Sequence, residues 1–223
     1  MVEFTLDGHP ASASEGELLV HAAVRHGVFI PTLCHDDKLE PYGGCRMCVV
    51  DVEGAPRPMP ACATRVAPGM AVSTNGATTG FQRTLTEMLL TEHLNADPGG
   101  RPNELTDLAT ELGAEAPFIL PDAKREPYED RNKLRGYEPD SRILCNRCVR
   151  YTQEVMQCSA LSLEGRGGEA RIVPTWGKSW LDTECELCGG RAVRYAFNFD
   201  SLPPTRARTW YRLFPALVMR IVM

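Results

Sequence analysis

The 223-residue sequence predicts an α+β fold. Short segments alternate apolar and polar residues, as strands do, and longer segments repeat their apolar residues at helical spacing. The nine cysteines fall into two different spacing patterns, which favours two small domains over one large one. Because we expect a cytoplasmic chain, in which thiols stay reduced, spaced cysteines indicate metal ligands rather than a disulfide framework.

The first unit is predicted to begin with two strands. Residues 2 to 7 alternate apolar and polar side chains, which is strand periodicity. Asp7-Gly8 is a hairpin turn signal, and it leads to a second strand near residues 10 to 14. A hairpin therefore precedes the first helix.

That helix is marked by its start signal and by its apolar face. Ser14 and Glu17 have the spacing of a capping box, in which two residues satisfy each other's free N–H groups at a helix start. The apolar residues that follow share one helical face: Leu18, Leu19, Ala22 and Ala23. Further short strands are predicted at residues 48 to 52 and 71 to 73.

A long loop at residues 27 to 47 introduces the strongest motif. Its spacing is Cys-x10-Cys-x2-Cys-x13-Cys, formed by Cys34, Cys45, Cys48 and Cys62. A [2Fe-2S] cluster takes four thiolates, and a glycine-rich loop around Cys-x2-Cys lets sulfurs converge while backbone N–H groups point at them. Gly43 and Gly44 are predicted to allow this close backbone approach. The alternatives are that the four cysteines are simply buried apolar side chains or that they bind zinc, although the usual zinc pattern has two Cys-x2-Cys hooks and this segment has one.

The segments PTLCHDDKLEPYGGCRMCVVDVEG and PACAT resemble the N-terminal ferredoxin domain of the large iron-sulfur subunit of respiratory complex I. They are equally similar to the matching domain of the diaphorase small subunit of NAD-reducing hydrogenases and of NAD-dependent formate dehydrogenases. The resemblance implies a β-grasp 2Fe-2S ferredoxin domain over residues 1–77, with the four cysteines of the motif as its cluster ligands. The predicted order of strand, strand and helix agrees with that fold.

Residues 78–138 are predicted to be a helical region. One helix ends at His93, and a short second helix spans residues 104 to 112. The apolar residues assigned to one face of the first helix are Phe81, Leu85, Met88 and Leu89. The region resembles a [4Fe-4S] segment of the same family, whose ligands are one histidine and three cysteines, but the cysteines are missing here. His93 is therefore predicted to interact with the last carbonyls of its helix and not with a cluster.

Residues 139–200 contain the second set of cysteines, Cys145, Cys148, Cys185 and Cys188. RILCNRCVRYTQEV and ECELCGGRAVRYAF resemble the two cysteine runs of a ferredoxin with two [4Fe-4S] clusters. Both runs are incomplete, and Arg142 stands at a cysteine position, where an arginine cannot be a ligand. The resemblance implies a degenerate 2x[4Fe-4S] ferredoxin-like domain, followed by a tail at residues 201–223.

Three interpretations of this second set stay open. The four thiolates converge on one metal ion, as a pair of Cys-x2-Cys hooks does in zinc sites. Alternatively, one or two [4Fe-4S] clusters form with a substitute ligand such as Cys158. In the third interpretation this half of the chain holds no stable cluster.

Composition and motifs argue against several functions. The net charge is −5 and the basic residues are scattered, so no nucleic-acid partner is predicted. The sequence lacks a signal pattern and an apolar run of about 18 residues, so we expect no membrane span and a cytoplasmic location. It also lacks a Gly-x-Gly-x-x-Gly fingerprint and a P-loop, so NAD binding is not predicted for this chain itself.

The resemblance implies an electron-transfer subunit of an NAD(P)H-linked oxidoreductase complex of the hydrogenase, formate dehydrogenase or complex I type. Its partners would be a flavin- and NAD-binding diaphorase subunit and a catalytic subunit, and this chain would itself be non-catalytic. The alternative is a structural adaptor with a zinc or single-cluster site and no redox role. Iron content and a paramagnetic signal on reduction distinguish the two.

Overall fold

The structure, a computed structural model, describes residues 1–93, 104–116, 142–178 and 182–183. Its strands are β1 Val2–Leu6, β2 His9–Ala13, β3 Val49–Val52, β4 Met59–Pro60, β5 Ala71–Ser73, β6 Leu161–Glu164 and β7 Arg171–Pro174. Its α-helices are α1 Leu19–Arg25, α2 Ala77–His93, α3 Glu104–Leu112 and α4 Arg147–Arg150. None of these described helices is long and apolar enough to cross a membrane.

Five strands form one mixed sheet in the order β2-β1-β5-β3-β4. β1 pairs antiparallel with β2 and parallel with β5, and β3 pairs antiparallel with both β5 and β4. The predicted strands and the α+β class are thus confirmed. The sheet and α1 share a core that includes Phe4, Leu6, Leu19, Ala22, Ala23, Val50 and Val72.

α1 begins later than its start signal predicts. The Ser14 N–H donates to Glu17 Oε2 at 2.7 Å, and the Glu17 N–H donates to the Ser14 carbonyl at 3.1 Å. This reciprocal contact closes a turn and does not start the helix, because Leu18 first makes an isolated β-bridge with Arg65. Leu18 is the N-cap, and it makes no side-chain cap hydrogen bond. The helix start that the capping box predicts is therefore wrong, and α1 begins at Leu19.

The predicted apolar face of α2 is also partly wrong. Phe81 and Met88 are 49% and 63% exposed. The helix instead buries mainly polar side chains: Thr78, Gln82, Thr86, Leu90, Thr91 and His93. The reason lies in the neighbouring strand, because the Gln82 amide donates to the carbonyl of Val49 at 3.1 Å. Burial of polar side chains on this face is compatible with stability because they find acceptors there.

α2 and α3 pack on the cysteine loop and form a second core. Its buried members come from the loop, from both helices and from the residues just after α3: Leu33, Met47, Leu90, Leu105, Leu108, Ala109 and Ala114. Leu33 and Met47 each stand next to a cysteine in the sequence. The helical region therefore covers the loop that carries the strongest motif. α3 spans the residues predicted for it, 104 to 112.

The second set of cysteines begins in a small unit made of α4, a π-helical turn at Tyr151–Val155 and the antiparallel hairpin of β6 and β7. This unit contacts the cysteine loop. The Arg150 guanidinium lies 4.7 Å from the centre of the Tyr42 ring, and the Asn146 side-chain amide donates to the Tyr42 hydroxyl at 3.3 Å. The rest of the predicted ferredoxin-like domain and the tail lie outside the described residues.

Candidate metal centre

The four cysteines of the first motif are brought together by three segments of the first unit. Cys34 and Cys45 lie in the loop between α1 and β3, Cys48 stands directly before β3, and Cys62 lies in a 3-10 turn at Ala61–Ala63. Cys34, Cys48 and Cys62 are buried, whereas Cys45 is partly exposed. The two halves of the motif, far apart in sequence, thus meet at one end of the sheet.

Backbone N–H groups lie beside all four sulfurs. The N–H of Cys45 donates to Cys34 Sγ at 3.4 Å. The backbone N–H groups of Met47, Cys62 and Gly43 act to lower the pKa of Cys45, Cys48 and Cys62, respectively. Such N–H groups stabilise negative charge on sulfur and help to set the reduction potential of an iron-sulfur cluster. This feature agrees with the prediction made from the glycine-rich loop.

The thiols are close enough to shift one another's protonation. A hydrogen bond with the Cys34 thiol, together with burial, raises the pKa of Cys45, and a hydrogen bond from Cys62 lowers the pKa of Cys48. The Cys34 thiol lowers the pKa of Cys62, but hydrogen bonding to Cys48 and burial outweigh it and raise this pKa to about 11. Four thiolates cannot share this volume without a compensating positive charge, which bound metal supplies.

The spacing of the sulfurs favours a centre with two metals over a single zinc ion. A tetrahedral zinc with bonds of about 2.3 Å would hold all four sulfurs about 3.8 Å apart. Among the residues that the structure describes, no three of these sulfurs lie within 4.8 Å of one another. Neighbouring sulfurs are nevertheless in contact, since Cys34 interacts with both Cys45 and Cys62. Each iron of a [2Fe-2S] cluster takes two thiolates, so sulfurs that contact one another in pairs fit two adjacent irons.

Backbone conformation and side-chain packing both favour glycine in this loop. Gly43 has a φ of +64°, which disfavours any residue with a side chain. A Cβ at Gly44 would lie 2.1 Å from Cε1 of the Tyr42 ring. The nearest atoms to an added Cβ at either position belong to Tyr42, Pro60 or Ala63 and not to the cysteine sulfurs. The absence of a side chain at Gly44 leaves room for the Tyr42 ring, and its absence at Gly43 lets the loop pack against Pro60.

A cavity of about 230 Å³ connects the first motif with the second set of cysteines. Its lining includes Cys45 and Cys145, together with Leu33, Tyr42, Gly44, Leu85, Leu89, Ile143 and Leu144. Cys45 is the only partly exposed sulfur of its motif within the described chain. The cavity therefore adjoins the end of the first centre that the protein covers least.

Cys145 and Cys148, the described half of the second set, each face an arginine. The buried Arg142 donates from Nη1 to Cys148 Sγ at 3.3 Å. The side chain of Arg147 interacts with Cys145 and also forms an ion pair with Glu104 at 2.5 Å. Arginine stays protonated in proteins, so these contacts place permanent positive charge beside both sulfurs.

The remaining predicted residues are placed only in part. Cys185 and Cys188 lie outside the described residues, so the structure does not bring the second set together. Cys158 is partly exposed, and its backbone N–H donates to the Thr152 carbonyl at 2.9 Å. His93 is buried and is the last residue of α2 within the described part of the chain, and its predicted interaction with the last helix carbonyls stays a prediction.

One cluster of side chains was not found from the sequence. His21 on α1 meets His35 and Asp37 of the cysteine loop, with one ligand atom of each within 4.8 Å of the others. The two histidines are 14 residues apart, and no short motif links them. A His-x-Asp pair directly after Cys34 was the available signal, but it does not reveal that the partner is on α1.

The comparisons with known proteins agree with this architecture. The 2Fe-2S iron-sulfur cluster binding domain family matches residues 1–77. The 78 kDa subunit of NADH-ubiquinone oxidoreductase from Neurospora crassa mitochondria is 34% identical over 94% of this chain. The alpha subunit of NADPH-Fe(3+) oxidoreductase from Geobacter sulfurreducens is 33% identical over 91% of it.

A solved structure matches over nearly the whole length of both chains. It is a chain in the crystal structure of an NAD+-reducing [NiFe]-hydrogenase in the H2-reduced state, with a TM-score of 0.75 and 30% identity. The match covers 92% of this chain and 89% of that one. By contrast, this chain spans only 29% of the Neurospora relative and 25% of the Geobacter relative.

Proposed function

This chain belongs to the family of 2Fe-2S iron-sulfur subunits of NAD(P)H-linked oxidoreductases, and from that premise we propose that it carries single electrons between partner chains. The single observation that carries the proposal is the convergence of four cysteine sulfurs, each facing a backbone N–H donor. When bound there, a [2Fe-2S] cluster takes up and releases one electron at a time.

The protein's own contribution is to hold and shield this site. Cys34, Cys45, Cys48 and Cys62 would be the four ligands. Burial of three of them excludes water, and the N–H donors stabilise the negative charge that reduction adds. α2 supports the site from behind, because the Thr86 hydroxyl donates to Met47 Sδ at 3.7 Å, between the ligands Cys45 and Cys48. The exposed edge at Cys45 is the side from which an electron would enter or leave.

We assign one cluster to the chain and not several. Arg142 stands where the first cysteine run would have a ligand, and its guanidinium donates to Cys148 Sγ at 3.3 Å. An arginine cannot replace the missing thiolate, so this run is short of cluster ligands. In place of metal, the sulfurs of Cys148 and Cys145 have Arg142 and Arg147 as their cationic partners. Of the three interpretations of the second cysteine set, these contacts support a degenerate ferredoxin-like domain without a stable cluster, spanning residues 139–200.

The partners and the location follow from the family and the motifs. A chain without a dinucleotide fingerprint needs a flavin- and NAD-binding subunit to exchange electrons with NAD(P)H. A separate catalytic subunit, of the hydrogenase or formate dehydrogenase type, would complete the complex. Nine cysteines, which a reducing compartment keeps as thiols, support a cytoplasmic location for that assembly.

The proposal is tested on the full chain purified without oxygen. We expect a paramagnetic signal that appears on reduction and disappears on reoxidation. Cys62→Ser should abolish it, whereas Cys158→Ser, a matched change at a partly exposed cysteine outside the motif, should leave it unchanged. If wild-type protein contains zinc and gives no paramagnetic signal on reduction, the electron-carrier function is wrong and the chain is a structural adaptor.

A further inference from the structure

A second candidate metal site lies where the residues directly after Cys34 meet α1. His21 Nε2, His35 Nε2 and Asp37 Oδ1 form a nearly equilateral triangle. Its sides are 3.2 Å between the two nitrogens, 3.1 Å from His21 to Asp37 and 3.3 Å from His35 to Asp37. We propose that these three side chains bind a divalent transition-metal ion of the zinc class, separate from the four-cysteine centre.

The size of the triangle fits such an ion. Zinc bonds to histidine nitrogen and carboxylate oxygen are about 2.0 to 2.2 Å, so two ligand atoms on one ion lie about 2.8 Å apart in octahedral and about 3.4 Å apart in tetrahedral geometry. All three measured sides fall between these limits. Two imidazoles with one carboxylate are ligands that zinc and its neighbours in the transition series accept.

Hydrogen bonds alone satisfy this arrangement poorly. If each histidine carries a proton on Nε2, both protons can point at the Asp37 oxygen, but the nitrogens then lie 3.2 Å apart with no proton between them. If one proton turns toward the other nitrogen, a contact with Asp37 is lost. A cation bonded to both Nε2 atoms and to Asp37 Oδ1 would give all three atoms a partner at once.

The three ligands are held in place by the fold and leave room for further ligands. His21 is fixed by α1, whose opposite face is buried in the first core. Asp36 orders the loop turn, because its carboxylate accepts the Lys38 N–H at 3.0 Å and its carbonyl accepts the Leu39 N–H at 3.0 Å. The His35 side chain is 12% exposed, but His21 and Asp37 are 44% and 83% exposed, so water can complete the coordination.

The ion would tie α1 to the first residues after Cys34. Both ends of this link belong to the 2Fe-2S unit, and no residue of the second cysteine set takes part. The proposal does not depend on the electron-carrier function, because the three ligands are independent of the cysteine sulfurs.

Zinc binding to the intact, cluster-loaded chain tests the proposal, with ZnCl₂ as the probe and calorimetric titration as the measurement. His21→Gln and Asp37→Asn should each remove one equivalent of zinc or weaken its binding by on the order of 100-fold, since loss of even an outer-shell partner costs about 10- to 100-fold. The controls are His9→Gln and Asp51→Asn, which change the same residue types on strands of the same unit, outside the triangle and its loop, and should bind as wild type does. Any zinc that binds to cysteines of the chain adds the same number of equivalents in every variant, so it cancels in the comparison.

Asp37 is largely exposed, so Asp37→Asn tests the site even if His21→Gln folds poorly. The proposal is overturned if Asp37→Asn binds the same number of zinc equivalents with the same affinity as wild type. It is also overturned if Asp51→Asn weakens binding as much as Asp37→Asn, because the effect would then be one of general charge.

Discussion

Replacing Gly44 by alanine tests why the cysteine loop contains this glycine. The added Cβ would lie 2.1 Å from Tyr42 Cε1 and 2.7 Å from Cδ1. Carbon atoms in contact are normally about 3.5 to 4.0 Å apart, so the ring must move by about 1.5 Å. Gly44 has no positive φ, so alanine itself fits the backbone there. The expected cost therefore comes from the contacts that Tyr42 gives up.

Those contacts set the magnitude. The moving ring leaves the Arg150 guanidinium, 4.7 Å from its centre, and its hydroxyl leaves the Asn146 amide at 3.3 Å. An exposed cation–π contact contributes about 0.5 to 1 kcal/mol, and a hydrogen bond contributes about 0.5 to 1.5 kcal/mol. We expect Gly44→Ala to lower the free energy of unfolding by about 1 to 2.5 kcal/mol, measured by urea denaturation of the cluster-loaded protein.

A double-mutant cycle with Tyr42→Ala separates the two reasons for glycine. If the clash with Tyr42 is the cause, Gly44→Ala should cost almost nothing once the ring is gone. If the backbone must instead approach a cluster closely, as the sequence alone suggested, the cost should persist in the Tyr42→Ala background and iron should be lost. An unchanged cost in that background would refute the steric explanation.

Two further predictions concern α2 and α1. Gln82→Met should destabilise the protein by about 1 to 3 kcal/mol in urea denaturation, because the buried Val49 carbonyl loses its donor. Met88→Gln on the exposed face is the control and should change stability by less than about 0.5 kcal/mol. Equal effects of the two changes would contradict the assigned faces of α2. The hydrogen bond from Arg25 lowers the pKa of Glu17, so this carboxylate stabilises the fold at pH values above its unfolded pKa near 4.5, and the contribution is lost as the pH falls through the lower folded pKa. Glu17→Gln should flatten the acid side of a plot of unfolding temperature against pH, and an unchanged slope would show that the ion pair contributes nothing.

The sequence predicted the framework of the first unit well because its signals are local. Alternation at residues 2 to 7 and the Asp7-Gly8 turn determine β1, β2 and their hairpin without help from distant residues. The cysteine spacing predicted the candidate ligands for a similar reason, since four thiolates with a glycine-rich loop have few other uses in a reduced compartment. The structure brings Cys62 to the other three, since its thiol interacts with those of Cys34 and Cys48.

The errors came where tertiary contacts overrule local patterns. The capping box at Ser14 was present, but pairing of Leu18 with Arg65 delays α1. Helical periodicity placed Phe81 and Met88 in the core, yet the acceptors offered by β3 and the cysteine loop select the polar face of α2. The triangle of His21, His35 and Asp37 could not be predicted, because it depends on how the loop returns to α1 and no fixed spacing describes that.

The electron-carrier function is tested by measuring iron and acid-labile sulfide per chain on wild-type protein purified without oxygen. We expect two irons and two sulfides, held by the cysteines at 34, 45, 48 and 62. Protein that is colourless and free of iron after careful handling would contradict the electron-carrier function. Six or more irons per chain would contradict the inference that the second set of cysteines has too few ligands for a cluster.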